Sequence, residues 1–327
     1  MAGGGQDRTD ADWMDAAAAI AARGRPLSRP NPAVGAILVR DGKVVGRGWT
    51  QAGGRPHAEA VALAQAGDAA RGATLYVTLE PCAHRSERGP ACAALVARGG
   101  PARVVVGCGD PDPRTAGEGI AMMRAGGIAV EMIASAAAER SLAGYLMRAR
   151  LGRPHVTLKL ATSLDGRIAL ADGSSQWITG PQARAHGHME RARVDAILVG
   201  RGTLRADEPR LDVRLPGLEA RSPARWVLTH GAAPDGWNAV AEFAAPGVFG
   251  DAQTLMVEGG AGAAAAFLAA DMVDRLLFYR APVIVGDGLP CVGDIGLGSL
   301  AEAHGRWRLS ERALLGSDTL DVYERAR

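Results

Sequence analysis

Three side chains suited to soft metals stand where three different secondary elements begin or end, and few arrangements of a chain can bring them together. His57 is followed by Ala58-Glu59 and opens the stretch 57–66, which reads as a helix stopped by Gly67. Cys82 follows Glu80-Pro81 directly after Ala73–Leu79, a β-like run. Cys92 opens a short helix, Cys92–Arg98, closed by Gly99-Gly100. A fold that unites them must set two helix starts against one strand end, which suits a sheet flanked by helices. Taken singly, His-Ala-Glu is an ordinary helix start, and a lone cysteine is more often a buried small hydrophobe than a ligand. The ordered set carries the metal reading.

The surrounding pattern agrees. Ala11–Arg23 reads as a helix with Asp10 as N-cap and Gly24 as stop. Val34–Val39 and Lys43–Trp49 are β-like runs joined by Asp41-Gly42, a hairpin signal. Arg103–Gly107 and Ile128–Met132 read as strands, and Glu118–Ala125 and Ala136–Ala149 as helices. The result is a hairpin followed by alternating helices and strands, hence a mixed sheet covered on both faces. Leu151-Gly152-Arg153-Pro154 then breaks the series and serves as a linker. Beyond it, strands are expected at His155–Ala161, Ala196–Gly200, Arg225–Thr229, Thr254–Val257, Arg275–Tyr279 and Pro282–Val285. Helices are expected at Pro181–Arg193 and Ala261–Ala270. Two domains follow, 10–150 and 153–327, and 327 residues suffice for both.

Composition narrows the class. A formal net charge of +2 gives no broad basic field, so neither nucleic acid nor a membrane surface is an expected partner. No stretch has the roughly 18 uninterrupted apolar residues of a membrane helix. The polar, Gly-rich stretch from Met1 to Asp10 lacks the apolar core of a secretory signal. Four cysteines are too few for a disulfide scaffold in a chain this long, and a cytoplasmic setting with reduced thiols is expected.

Zinc takes nitrogen and thiolate sulfur in tetrahedral sites, and catalytic sites keep one position open. His57, Cys82 and Cys92 supply three such ligands, and Glu59 is placed to move a proton beside the metal without binding it. His-x-Glu followed by Pro-Cys…Cys is the signature of zinc deaminases. A structural zinc knuckle would recruit a fourth ligand, for which His84 is near enough in sequence, and would need no general base.

The N-terminal half resembles the deaminase domain of the bifunctional riboflavin biosynthesis deaminase–reductases. The resemblance rests on Pro30-Asn31-Pro32-Ala33-Val34-Gly35, Pro56-His57-Ala58-Glu59, Thr78-Leu79-Glu80-Pro81-Cys82-Ala83-His84 and Asp110-Pro111-Asp112-Pro113. Nine residues separate the cysteines, one more than the family pattern, so the loop holding Arg85 and Arg88 is altered. The C-terminal half resembles the family's reductase domain through Lys159-Leu160-Ala161-Thr162-Ser163-Leu164-Asp165-Gly166, Ser175-Gln176-Trp177-Ile178-Thr179-Gly180, Arg191, the run 203–211 and Glu258-Gly259-Gly260. Thr229-His230 stands where the family has an Asp-Ser type pair, and 231–252 is shortened, with a strand or a helix lost.

The resemblance implies an α/β protein: a cytidine-deaminase-like three-layer αβα domain, then a dihydrofolate-reductase-like α/β domain. It implies zinc-dependent deamination of diaminohydroxyphosphoribosylaminopyrimidine and NADPH-dependent reduction of its ribosyl group to ribityl. The implied substrate contacts are Asn31, His84, Lys159, Ser175, Arg191, Leu211, Arg214 and Glu258, with Arg210 a further phosphate candidate. Ala161, Trp177, Thr203, Asp207 and Gly260 would meet NADPH. A homo-oligomer is expected. The alternative is a deaminase whose second half only packs or oligomerises, motivated by the shortened stretch.

Overall fold

The computed structural model describes residues 8–84 and 87–327, so the first seven residues, Arg85 and Ser86 lie outside the described residues. The chain separates into two compact units that meet between Leu151 and Gly152.

The first unit runs α1 (Asp10–Ala21), β1 (Gly35–Arg40), β2 (Lys43–Trp49), α2 (Ala58–Ala66), β3 (Thr74–Val77), α3 (Cys92–Gly99), β4 (Arg103–Val106), α4 (Glu118–Ala125), β5 (Ala129–Met132) and α5 (Ala136–Leu151). Its sheet has the order β2-β1-β3-β4-β5, with β1 antiparallel to both neighbours and the rest parallel. Asp41 and Gly42 both take positive φ, 50° and 69°, as the tight hairpin requires. The α1 cap is Thr9, not Asp10. Thr9 Oγ1 accepts from the Asp12 N–H while the Asp12 carboxylate accepts from the Thr9 N–H, a reciprocal box. Asp10 instead takes hydrogen bonds from Tyr76 and Arg103.

Two glycines set the position of α2. Gly46 and Gly48 of β2 point at the helix, and a Cβ on either would lie 2.2 Å from a carbonyl oxygen, that of Ala62 or of Ala58. The helix backbone therefore lies directly on the strand. On the other face of the sheet, Gly35 meets α1 in the same way. The helices α2 and α3 pack together, as do α3 and α4, and α1 packs with α5, giving three layers.

The second unit runs β6 (His155–Thr162), β7 (Arg167–Leu170), α6 (Pro181–Arg191), β8 (Ala196–Gly200), α7 (Arg201–Asp207), β9 (Ala224–Leu228), β10 (Asn238–Val240), β11 (Thr254–Glu258), α8 (Ala261–Ala269), β12 (Arg275–Arg280), β13 (Gly288–Pro290), β14 (Trp307–Leu315) and β15 (Asp318–Arg325). Its sheet has the order β10-β9-β8-β11-β6-β12-β15-β14, parallel from β10 to β12 and antiparallel thereafter. β7 and β13 form a separate antiparallel pair. The strand expected at Pro282–Val285 is absent. There the amides of Val285 and Gly286 donate to the Asp165 carboxylate, so a side chain occupies groups a neighbouring strand would need. The shortened stretch 231–252 holds β10 and turns, with no helix among its residues. Among the described residues no helix is long and apolar enough to cross a membrane.

Candidate functional site

The three metal-binding side chains converge in the first unit. His57 is the N-cap of α2, Cys82 lies five residues beyond the end of β3, and Cys92 is the first residue of α3. His57 Nδ1 lies 3.6 Å from Cys82 Sγ and 3.3 Å from Cys92 Sγ, and the three ligand atoms all fall within 4.8 Å of one another. The hydrogen bond from Cys92 lowers the Cys82 thiol, with His57 adding to the effect, while Cys82 and burial push Cys92 up. One imidazole nitrogen and two cysteine sulfurs this close together are a donor set that zinc prefers.

Glu59, in the first turn of α2, is buried at 3% exposure. Burial pushes its carboxyl above the usual range, opposed by the nearby His57. Asn31 Nδ2 lies 3.1 Å from His57 Nε2 and donates to Gly54 O at 3.0 Å, which ties the turn between two prolines to the ligand. His84 Nδ1 lies 3.4 Å from Thr115 Oγ1. Arg88 donates to Gly53 O at 2.8 Å and is exposed.

Sequence reasoning assigned no role to Glu80. It is buried, and its carboxylate accepts from the amides of Asp110, Gly117 and Ile120 at 3.4, 3.1 and 3.1 Å. Two of these donors flank or open α4, so a carboxylate two residues before a metal ligand fixes the loop that carries Thr115. Tyr145 of α5 donates to Asp110 Oδ1 at 2.6 Å and steadies that loop from the other side. The signal was present as the residue preceding Pro81-Cys82, but its partners are 30 to 40 residues away.

In the second unit Lys159, Glu258 and Arg191 meet. Lys159 of β6 is in register with Glu258 of β11, and Nζ lies 3.5 Å from Oε2. Arg191, the last residue of α6, grips the same carboxylate with two bonds of 2.7 and 2.9 Å. Burial alone would push the Glu258 carboxyl up, but Lys159 and Arg191 outweigh it and hold it down at about 2. Tyr279 of β12 completes this face: its ring centre lies 5.9 Å from Lys159 Nζ, and its hydroxyl is 2.7 Å from His186 Nδ1. Sequence reasoning missed both Tyr279 and His186. Arg191 also donates to Asp212 O at 3.1 Å, which links the cluster to an open groove of about 440 Å³ lined by Arg210, Asp212, Arg214 and Ser222.

At the carboxyl end of the parallel strands, Thr203 Oγ1 accepts from the Gly260 N–H at 2.9 Å. Gly259 has φ 141°, and a Cβ there would lie 3.2 Å from Thr203 Oγ1. Thr203 therefore lies directly against the bare backbone of Gly259-Gly260 where β11 ends. Ala161 lies two residues beyond Lys159 on β6, opposite Tyr279. Leu211 has φ 53° and its side chain sits in the core, so only its backbone can face a ligand. Asp207 is exposed at the end of α7. Trp177 is 62% exposed beneath the Arg184 guanidinium, and Ser175 is partly exposed. Among the described residues, neither Ser175 nor Trp177 joins the Lys159 cluster by a hydrogen bond or ion pair.

The fold and the donor set define a zinc deaminase unit joined to a second α/β unit with a buried lysine–glutamate–arginine cluster. Residues 7–108 match the cytidine and deoxycytidylate deaminase zinc-binding region, and residues 154–246 and 249–320 match the RibD C-terminal domain. The riboflavin biosynthesis protein RibD of Haemophilus influenzae is 37% identical, the match covering 96% of this chain and 97% of that protein. That of Aquifex aeolicus is 36% identical, over 97% and 98%. RibD of Acinetobacter baumannii superposes with a TM-score of 0.86 at 32% identity, covering 97% of this chain and 99% of that one. A diaminohydroxyphosphoribosylaminopyrimidine deaminase/5-amino-6-(5-phosphoribosylamino)uracil reductase from Thermotoga maritima superposes with a TM-score of 0.85 at 29% identity, covering the same shares. The chain belongs to the RibD family of riboflavin biosynthesis proteins, which pair a deaminase with a reductase.

Proposed function

We propose that this chain deaminates diaminohydroxyphosphoribosylaminopyrimidine in its first unit and reduces the ribosyl group of the product to ribityl in its second, with NADPH as hydride donor. The observation that carries the reading is the approach of His57, Cys82 and Cys92 within 4.8 Å beside a buried Glu59. Zinc, held by those three side chains, supplies the Lewis acidity that makes water nucleophilic near neutral pH. Glu59 would take one proton from the attacking water and give it to the pyrimidine ring nitrogen, then take the remaining proton of the added hydroxyl and give it to the amine, which departs as ammonia. Asn31, whose Nδ2 lies 3.1 Å from His57 Nε2, and His84 orient the pyrimidine and ribose.

In the second unit NADPH supplies the hydride. The bare backbone of Gly259-Gly260 would allow close approach of its pyrophosphate, and the N-terminus of α8 favours the negative charge. Lys159 would give a proton to the ribose ring oxygen as hydride adds to the anomeric carbon and the bond between that carbon and the ring oxygen opens, the carbon–nitrogen bond to the pyrimidine staying intact. Glu258 holds Lys159, and Arg191 holds Glu258. Arg214, more exposed in the groove, takes the substrate phosphate with Arg210. A domain retained only for packing has no use for a buried cluster of three charges, which is costly to desolvate.

The test is a substitution of Glu59. In Glu59→Gln, zinc content is expected to stay at one per chain while deamination falls at least about a hundredfold. In Cys82→Ser, zinc itself is lost. Near wild-type deamination by Glu59→Gln would assign the proton to another group.

A further inference from the structure

We propose that Arg201 selects NADPH over NADH by binding the phosphate on the adenosine ribose of the cofactor. This rests on the reductase reading above. That reading puts the reacting end of the cofactor at Lys159 and Ala161, on β6, and the pyrophosphate at Gly259-Gly260 and Thr203, at the ends of β11 and β8. The strand order β9-β8-β11-β6 makes these points a line along the carboxyl edge of the sheet. An extended dinucleotide laid on that line carries its adenosine half onward to the end of β9. Three interstrand steps of about 4.8 Å span roughly 14 Å, a distance an extended dinucleotide covers.

The side chain that meets it there is Arg201, the first residue after β8. Its guanidinium reaches across to β9 and donates to Thr229 Oγ1 at 3.0 Å. The Gly231 N–H donates to the same hydroxyl at 3.0 Å, so Thr229 fixes both the arginine and the turn beneath it. A Cβ at position 231 would lie 2.5 Å from the arginine Nη1, so the guanidinium lies against bare backbone. Arg191 and Arg210 pair with carboxylates, whereas no carboxylate pairs with Arg201 among the described residues. Arg201 thus has unspent charge and free N–H donors in a fixed orientation, the requirements for gripping a phosphate dianion. NADH lacks that phosphate and gains nothing from the contact.

Binding of NADPH and of NADH to the full-length protein is the test, read by quenching of intrinsic fluorescence, with adenosine 2′,5′-bisphosphate as competitor. In Arg201→Ala the Kd for NADPH is expected to rise at least about tenfold, the loss of a charge-assisted contact, with the Kd for NADH unchanged. The competitor should lose its effect in the same variant, Arg201→Lys should recover part of the NADPH affinity, and Arg205→Ala should match the wild type. Equal binding of both cofactors by the wild type overturns the role of Arg201 and leaves the reductase reading standing. So does an equal loss of both in Arg201→Ala. A wild-type chain that binds neither nucleotide overturns the reductase reading, and this inference with it.

Discussion

Glu258 shows how single residues are committed in the second unit. Its carboxylate is buried and receives Arg191 bidentately and Lys159 from the adjacent strand. Replacing it with Gln leaves two partly buried cations, Lys159 and Arg191, without a counter-charge, which costs up to about 3 kcal/mol, the low end for a broken buried pair. The pH dependence has a definite sign. The folded carboxyl is depressed from 4.5 to about 2, so the stability it contributes is fully present above 4.5. It is lost as pH falls from there toward 2. Thermal unfolding followed from pH 6 to pH 2 should show a wild-type decline in that window that is shallower in Glu258→Gln. Parallel curves for the two proteins would mean the carboxylate is not held in its charged form. The same residue was legible as one end of Glu258-Gly259-Gly260. Its grip on Arg191 was not, because register between β11 and β6 and the end of α6 are set only by the assembled sheet.

At the scale of elements, the active-site helix α2 is placed by glycines rather than by large side chains. A Cβ on Gly48 would lie 2.2 Å from Ala58 O, 2.8 Å from Ala62 N and 2.8 Å from Val61 Cβ, all in the helix that His57 caps. Gly48→Ala should therefore push α2 off the sheet, at a cost of about 1–3 kcal/mol, and lower zinc retention although no ligand has changed. Elemental analysis after gel filtration, with melting temperature measured on the same sample, checks this; full zinc and an unshifted melting point would contradict it. The central elements were readable because glycine stops and apolar runs mark them sharply: β2, β8 and α4 begin and end where their sequence patterns do. The hairpin of β14 and β15 was not anticipated. β14 is largely exposed, and Ser310, Glu311 and Arg312 interrupt any apolar alternation along it. Its pairing is supplied by β15, in turn held on β12, and such long-range support leaves no local mark. Short α7 and β10 escaped for the same reason, being defined by where β8 and β9 deliver the chain.

At the scale of the whole molecule, the metal-binding side chains and Glu59 lie in one unit, and the Lys159–Glu258–Arg191 cluster lies in the other. The metal centre was legible because its ligands sit at element ends with a recognisable order. Lys159 and Glu258 were singled out only through the family resemblance, since a lysine and a glutamate about a hundred residues apart carry no spacing signal. If the two chemistries are independent, disabling the first must leave the second intact. The measurement is NADPH oxidation by the full-length Glu59→Gln protein supplied with the already deaminated pyrimidine. The rate should equal that of the wild type, with zinc still bound. A folded, zinc-loaded Glu59→Gln protein that oxidises no NADPH, beside a wild type that does, would contradict the assignment of one reaction to each unit.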